Sequence, residues 1–212
     1  MIIKKAENIE IGSIGLIMHL FEDFLIASNL YKNSIEKLNL DIYKYYINSP
    51  IITPYFIEYN GNIIISKSSP GELKEILKSK FDIIEVDTIE NTIGNLFLVG
   101  KNGILYSSGK EYDAKKLSEK LSLPSQRIKI KYLIGSISKL YNNKLLISQE
   151  LTDNILEKIS EITKYSIEIG SINFGSPYMR YGIEINSRYI IVGKNSTGHE
   201  IIKVEETFFD SK

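Results

Sequence analysis

The side chains that most often carry catalysis are scarce in this sequence. It contains no Cys and only two His, His19 and His199. Without thiols there is no thiolate nucleophile, no disulfide framework and no zinc site with sulfur ligands. Two imidazoles cannot build a multi-histidine metal site, so no metal and no cofactor are expected. No Gly-x-Ser-x-Gly elbow occurs. Gly94 to Lys101 follows a phosphate-binding loop only loosely, because five residues separate Gly94 from Gly100 and Asn102 replaces the Ser or Thr that would meet a metal ion. Asp and Glu are plentiful, but nothing in their spacing places a pair in a cleft. A hydrolase built from carboxylates and His is therefore the weaker alternative. His19 falls inside a strand-like run and reads as packed. His199 falls in the first turn of a helix, where the dipole disfavours an imidazolium, so no role is expected of it.

The same reading holds for bulk charge. Twenty-six Lys and Arg balance 26 Asp and Glu. A bulk nucleic-acid binder needs a basic excess to neutralise phosphates. The densest basic stretch, Lys110, Lys115, Lys116, Lys120, Arg127, Lys129 and Lys131, is diluted by Glu111, Asp113 and Glu119. It reads as a solvated face. No apolar run is long enough to span a membrane, and Met1-Ile2-Ile3-Lys4-Lys5 is not a signal-peptide core. A soluble, cytoplasmic protein is expected.

What must position any functional residue is a repeat. The runs Phe24-Leu25-Ile26, Ile63-Ile64-Ile65, Ile104-Leu105-Tyr106, Leu145-Leu146-Ile147 and Ile190-Ile191-Val192 recur about every 41 residues. Runs this short and apolar read as buried strands. Each follows a turn signal. Asn60-Gly61 and Asn102-Gly103 are strong two-residue turns, Asn142-Asn143 and Asn186-Ser187 weaker ones, and Glu22-Asp23 the poorest. A partner strand precedes each turn: Ile14 to Leu20, Tyr55 to Tyr59, Asn95 to Val99, Ile137 to Tyr141 and Tyr178 to Ile185.

A short helix follows each hairpin. Its starts are marked by Asn33 with Glu36, by Ser69-Pro70-Gly71-Glu72, by Asp113, by Thr152, and by the capping box Thr197-Gly198-His199-Glu200. A third strand ends the first four modules: Ile42 to Ile47, Ile83 to Val86, Ile128 to Ile130, and Ser166 to Ile169. The fifth module lacks one, and Ile2-Ile3-Lys4-Lys5 is the spare strand that can complete it and leave no bare sheet edge. The expectation is one domain without a linker, made of modules at about 12–48, 49–88, 89–131, 132–170 and 171–212, with a closing strand at 1–6.

Five hairpin–helix–strand modules of this length resemble the pentein fold, a five-bladed α/β propeller with pseudo-fivefold symmetry. Gly170-Ser171-Ile172-Asn173-Phe174-Gly175-Ser176 is similar to the Gly-Thr-Val-Asn-x-Gly-Ser signature of the translation initiation factor 6 family. Val192-Gly193-Lys194-Asn195-Ser196-Thr197-Gly198-His199-Glu200 is similar to that family's Gly-x-x-Thr-Thr-Gly-Pro-Glu. Thr92-Ile93-Gly94-Asn95 resembles its Ala-Leu-Gly-Asn, and Asn8 to Gly15 resembles its Asn-x-Ile-Gly opening. The resemblance runs over about residues 2–207. It departs at Ser49-Pro50-Ile51-Ile52-Thr53-Pro54, where the family keeps small residues and a Gly, and in the missing Pro after Ile65, Tyr106 and Ile147.

The resemblance implies a ribosome anti-association factor of archaeal or eukaryotic type. Such a factor is not an enzyme. It binds the large ribosomal subunit on its joining face, against a ribosomal protein and near the sarcin–ricin loop of the rRNA, and blocks the small subunit sterically. DNA and membranes are not partners, and the protein is expected to be a monomer. The enzymatic penteins use a Cys nucleophile, which this chain lacks. A pentein-fold interaction module with a non-ribosomal partner is the other reading. Candidate docking residues are Gly94 and Asn95, the latter read as facing out from the start of a strand, and Asn173, Gly175, Ser176, Tyr178 and Arg180. Gly175 and Pro177 fix a loop, while Tyr178 and Arg180 are types enriched at interface anchors. Phe174 reads as core.

Overall fold

The five apolar runs each become the middle strand of a three-stranded sheet, the one position in such a sheet where both neighbours hide the backbone. In the computed structural model, which describes residues 1–10, 12–107 and 109–209, fifteen strands among those residues form five such sheets. The chain opens with β1 (Ile2–Ala6). Module one follows as α1 (Ile14–Ile17), β2 (Met18–Leu20), β3 (Phe24–Ser28), α2 (Lys32–Glu36) and β4 (Tyr43–Ile47). Module two is β5 (Phe56–Tyr59), β6 (Asn62–Ser66), α3 (Gly71–Lys78) and β7 (Ile83–Val86). Module three is α4 (Ile93–Leu96), β8 (Phe97–Val99), β9 (Ile104–Tyr106), α5 (Glu111–Leu121) and β10 (Ser125–Arg127). Module four is β11 (Ser138–Tyr141), β12 (Lys144–Ser148), α6 (Asp153–Thr163) and β13 (Ser166–Gly170). Module five is α7 (Met179–Gly182), β14 (Ile183–Ile185), β15 (Tyr189–Gly193) and α8 (Gly198–Phe209).

In modules one to four the first strand runs antiparallel to the middle one, and the third returns parallel to it through the helix. A parallel return needs a crossover of that kind. In the fifth, β14 pairs antiparallel with β15, and β1 supplies the parallel strand, with Ile2 to Ala6 opposite Tyr189 to Gly193. Deleting residues 1–6 therefore bares one edge of β15. Hydrogen exchange of its amides should rise about tenfold or more, and unchanged exchange there would contradict the pairing.

The chain divides into two compact units. The first holds Met1–Thr53, Ile137–Glu150 and Ser166 onward; the second holds Pro54–Ser136 and Leu151–Tyr165. In the first unit, Ile14, Ile17, Leu25 and Ile35 pack with Tyr189 and Ile191. A second cluster there joins Ile172, Met179, Ile183 and Ile190 to Val204 and Phe208, one face of α8 at four-residue spacing. In the second unit, Ile64, Phe97, Ile104 and Leu117 form the centre, with Val86 and Ile93.

Several local expectations are corrected. The partner strands are shorter than expected, because Ile14–Ile17, Ile93–Leu96 and Met179–Gly182 are single helical turns that deliver the chain into the strand, and Thr53–Tyr55 is a 3-10 turn that does the same. Module three's last strand is Ser125–Arg127, not Ile128 to Ile130. Its register is set by Ser125 opposite Ile104, and Ile128 only adds a final bond to Tyr106 O. Asn60-Gly61 has positive φ at both residues, and so does Asn142-Asn143. Asn102-Gly103 does not; instead the Lys101 and Asn102 amides donate to Thr163 O and Ile162 O at the end of α6. Helix α2 begins before Asn33, and neither Ser69 nor Thr152 caps through its side chain. Asp113 lies inside α5 rather than ahead of it. The end of the fifth module at residue 212, and Ile11 within the Asn8–Gly15 segment, lie outside the described residues.

Candidate docking site

The segment Ser171–Tyr178 opens module five as a closed loop. Ile172 and Ser176 exchange backbone hydrogen bonds at 3.0 and 2.7 Å. Between them Asn173, Phe174 and Gly175 have φ of 51°, 62° and 87°. Three successive left-handed residues reverse the chain tightly, a conformation costly for the first two and free for Gly. The Asn173 side chain offsets part of that cost. Its amide donates to Gly12 O at 2.7 Å, and its Oδ1 accepts from Ser196 Oγ at 3.3 Å.

The rest of the support comes from Glu200, the third residue of α8. Its carboxylate accepts from the amides of Gly175 (2.8 Å), Phe174 (3.1 Å) and Thr197 (2.8 Å), and from the hydroxyls of Ser171 (2.8 Å) and Thr197 (3.1 Å). The Glu200 amide donates back to Thr197 Oγ1 at 3.3 Å, so the expected capping box is present. Burial alone would raise the Glu200 pKa, but this ring of donors outweighs it and holds the carboxyl below its ordinary range. In the sequence Glu200 is legible only as a helix cap. The signal available was the capping box itself, but not its second duty toward a loop 25 residues earlier.

The loop presents Phe174 to water at 82% exposure, which corrects its reading as core. Phe174's amide is tied to Glu200 and its φ is positive, so its backbone is held in the loop conformation. Tyr178 is exposed and stacks on Tyr181 with ring centroids 5.7 Å apart. Ser176 lies at the loop's closing bridge. Arg180 turns inward and donates to Thr53 O at 3.0 Å, so it braces the first unit rather than reaching into solvent. Gly94 and Asn95 lie in the second unit, inside α4 rather than at the start of a strand. Asn95 does not face fully out: it is only partly exposed and its Oδ1 is buried without a hydrogen-bond partner.

One cluster with catalytic potential is shut in. His19, Lys139 and Glu184 are each the second residue of a first strand, β2, β11 and β14, and all three are buried. Glu184 Oε1 lies 3.1 Å from Lys139 Nζ, and Oε2 lies 3.2 Å from His19 Nδ1 and accepts the Leu20 amide at 3.0 Å. The same position in the second unit is Ile57 and Leu98, both apolar. A carboxylate with no exposed surface cannot meet a substrate, so this cluster organises the interior. Four residues of the basic stretch have acidic partners: Lys110 pairs with Glu90 at 2.6 Å, Lys115 and Lys116 lie 4.0 Å from Glu119, and Arg127 lies 3.3 Å from Glu111. Apart from the half-buried Lys110, these pairs are exposed, as on a solvated face. No helix among the described residues is long and apolar enough to cross a membrane.

A family model described as the eIF-6 family matches residues 3–207. Among curated proteins, translation initiation factor 6 of Sulfolobus acidocaldarius is 26% identical, with 99% of this chain and all of that protein aligned. The Pyrococcus abyssi protein of the same name is 33% identical over 59% of this chain and 56% of its own. Among solved structures, DDAH from Pseudomonas aeruginosa in complex with citrulline superposes with a TM-score of 0.53 at 15% identity, covering 87% of this chain and 90% of that one. The N-terminal domain of ArgZ, an arginine dihydrolase of cyanobacteria, superposes with a TM-score of 0.54 at 12% identity, covering 84% and 75%. At such identities these two likenesses speak for the fold alone. The fold is the pentein one.

Proposed function

The chain belongs to the eIF-6 family, and from that premise we propose that it binds the large ribosomal subunit and sterically prevents the small subunit from joining. The observation that carries this reading is the family match, which runs through all five modules and includes both segments that bear the candidate docking residues. The chemistry is consistent with it. The chain lacks the thiol nucleophile expected of enzymatic penteins, and the carboxylate–imidazole–ammonium cluster of Glu184, His19 and Lys139 is buried. Blocking by occupancy needs a stiff surface rather than a reactive one, since a loop ordered beforehand loses little entropy on docking. The Asn173–Tyr178 loop is ordered in that sense. Neutral overall charge suits contacts made mainly with protein at the joining face, close to the sarcin–ricin loop. The protein acts as a cytoplasmic monomer.

The test is sedimentation of the purified protein with separated subunits on sucrose gradients. It should travel with the large subunit, stay off the small one, and lower the yield of joined ribosomes as its concentration rises. Migration at the top of the gradient with both subunits would reject the reading.

A further inference from the structure

Modules three and five hold the loops that open them by one shared device. In each, the third residue of the module's long helix is a buried carboxylate that accepts two successive loop amides. Asp113 of α5 takes the amides of Ile89 at 2.8 Å and Glu90 at 3.2 Å. Glu200 of α8 takes those of Phe174 at 3.1 Å and Gly175 at 2.8 Å. In both loops the first clamped residue is large, apolar and turned to water. Ile89 is 76% and Phe174 82% exposed, the two highest values among the large hydrophobic side chains of the described residues. Both loops lead directly into the helical turns that carry Gly94 with Asn95, and Arg180.

An exposed apolar side chain on a loose loop is unremarkable. One on a backbone fixed by buried charge is different. A Phe in the left-handed region costs about 1–2 kcal/mol, and strain of that kind is held where it serves a site. Such a side chain meets a partner without first having to order its loop, which favours tight docking. The chemistry of the tip indicates the partner. Asn173 to Tyr178 contains no charged residue, and Arg180 is turned inward onto Thr53. In module three, Glu90 beside Ile89 is tied to Lys110 at 2.6 Å. Nucleic-acid contacts are positioned by cations on phosphates, and neither tip supplies them. An uncharged apolar tip fits an apolar recess in a protein.

We infer that Phe174 is an anchor side chain on the first unit, entering an apolar recess on a protein of the large subunit, with Glu200 the positioning residue that holds it out; on the second unit, taken by itself, Ile89 is an anchor of the same kind and Asp113 its positioning residue. The inference rests on the docking reading above and assigns its side chains.

The experiment is titration of fluorescently labelled protein with large subunits. Phe174→Ala should weaken binding about 10- to 30-fold and Ile89→Ala about tenfold. Both variants should melt with the wild type, because the truncated side chains face solvent. Glu200→Gln keeps the side chain's shape but replaces one acceptor oxygen by an NH2 group among donors. It should weaken binding about tenfold and speed exchange of the Phe174 and Gly175 amides. In the Phe174→Ala background the same change should cost no further affinity, because Glu200 acts through Phe174. Wild-type affinity in both alanine variants overturns the anchors, and full additivity of the double variant overturns the positioning role. An equal Phe174→Ala loss on protein-free rRNA overturns the protein partner. If the wild type itself does not bind, it is the docking reading that falls, and this inference falls with it.

Discussion

Replacing Lys139 by Met lowers the unfolding free energy by about 3–5 kcal/mol, seen as a lower urea midpoint at unchanged slope. The reason lies in what the ammonium leaves behind. Glu184 has no exposed surface, and Lys139 Nζ is one of only a few groups that stabilise its charge. Without Lys139 the carboxylate retains His19 and the Leu20 amide in a site that water does not reach. Breaking one partner of a buried pair is costly, whereas removing the whole set is not. The triple variant His19→Phe, Lys139→Met, Glu184→Leu should therefore lie within about 1–2 kcal/mol of the wild type. A triple variant as unstable as Lys139→Met would show that the cost comes from lost packing.

The same cluster sets an acid dependence. Burial by itself would raise the Glu184 pKa, but the Lys139 ammonium, His19 and the Leu20 amide outweigh it, and the carboxyl sits below its ordinary range. A group whose folded pKa is depressed contributes stability that is fully present above the unfolded value of about 4.3. That contribution is lost as pH falls through the folded pKa. Wild-type stability should therefore fall below about pH 4.3 more steeply than that of Lys139→Met. Parallel pH profiles would contradict the assignment.

Gly135→Ala is the second large effect, a loss of about 3 kcal/mol. A Cβ at Gly135 would stand 2.1 Å from Gly94 O and 2.8 Å from both Asn95 C and Phe97 O. All three are backbone atoms of the turn and strand that follow the module-three loop, so no side-chain rotation relieves the clash. Gly15 makes the equivalent approach in the first unit, 2.1 Å from Arg180 O. Gly71→Ala is the control. No atom lies within 4 Å of its added Cβ, and it opens α3. It should be neutral, or stabilising by about 0.5 kcal/mol through the unfolded chain. Equal melting of the Gly135 and Gly71 variants would refute the close approach.

Much of this architecture is legible in the chain because it is local or periodic. A middle strand hidden on both sides must be apolar throughout, so Ile63-Ile64-Ile65 and Ile190-Ile191-Val192 announce themselves. Asn60-Gly61 does so too, since few dipeptides tolerate positive φ twice. The strand at Ile2 to Lys5 is legible by subtraction, as the one apolar segment without a partner in a module short of a strand. Helix starts were less so. Thr152 does precede α6, but Asn33 and Asp113, which also have the residue types of caps, lie inside α2 and α5; boundary signals are worth only about 1 kcal/mol.

The candidate site divides along the same line. That Asn173-Phe174-Gly175-Ser176 forms a loop follows from residue type. That Phe174 points outward does not, because its backbone is held by a carboxylate brought in from α8, 26 residues further along the chain. His19 shows the converse. Its burial could be read from the strand around it, but its partner Glu184 comes from another sheet, 165 residues along the chain, and brings Lys139 from a third. Residue pattern settles which segments are strands, turns and repeats, since those preferences act over a few neighbours. Which side chains face water, and which charges meet in the interior, depends on surfaces that exist only once distant modules have packed.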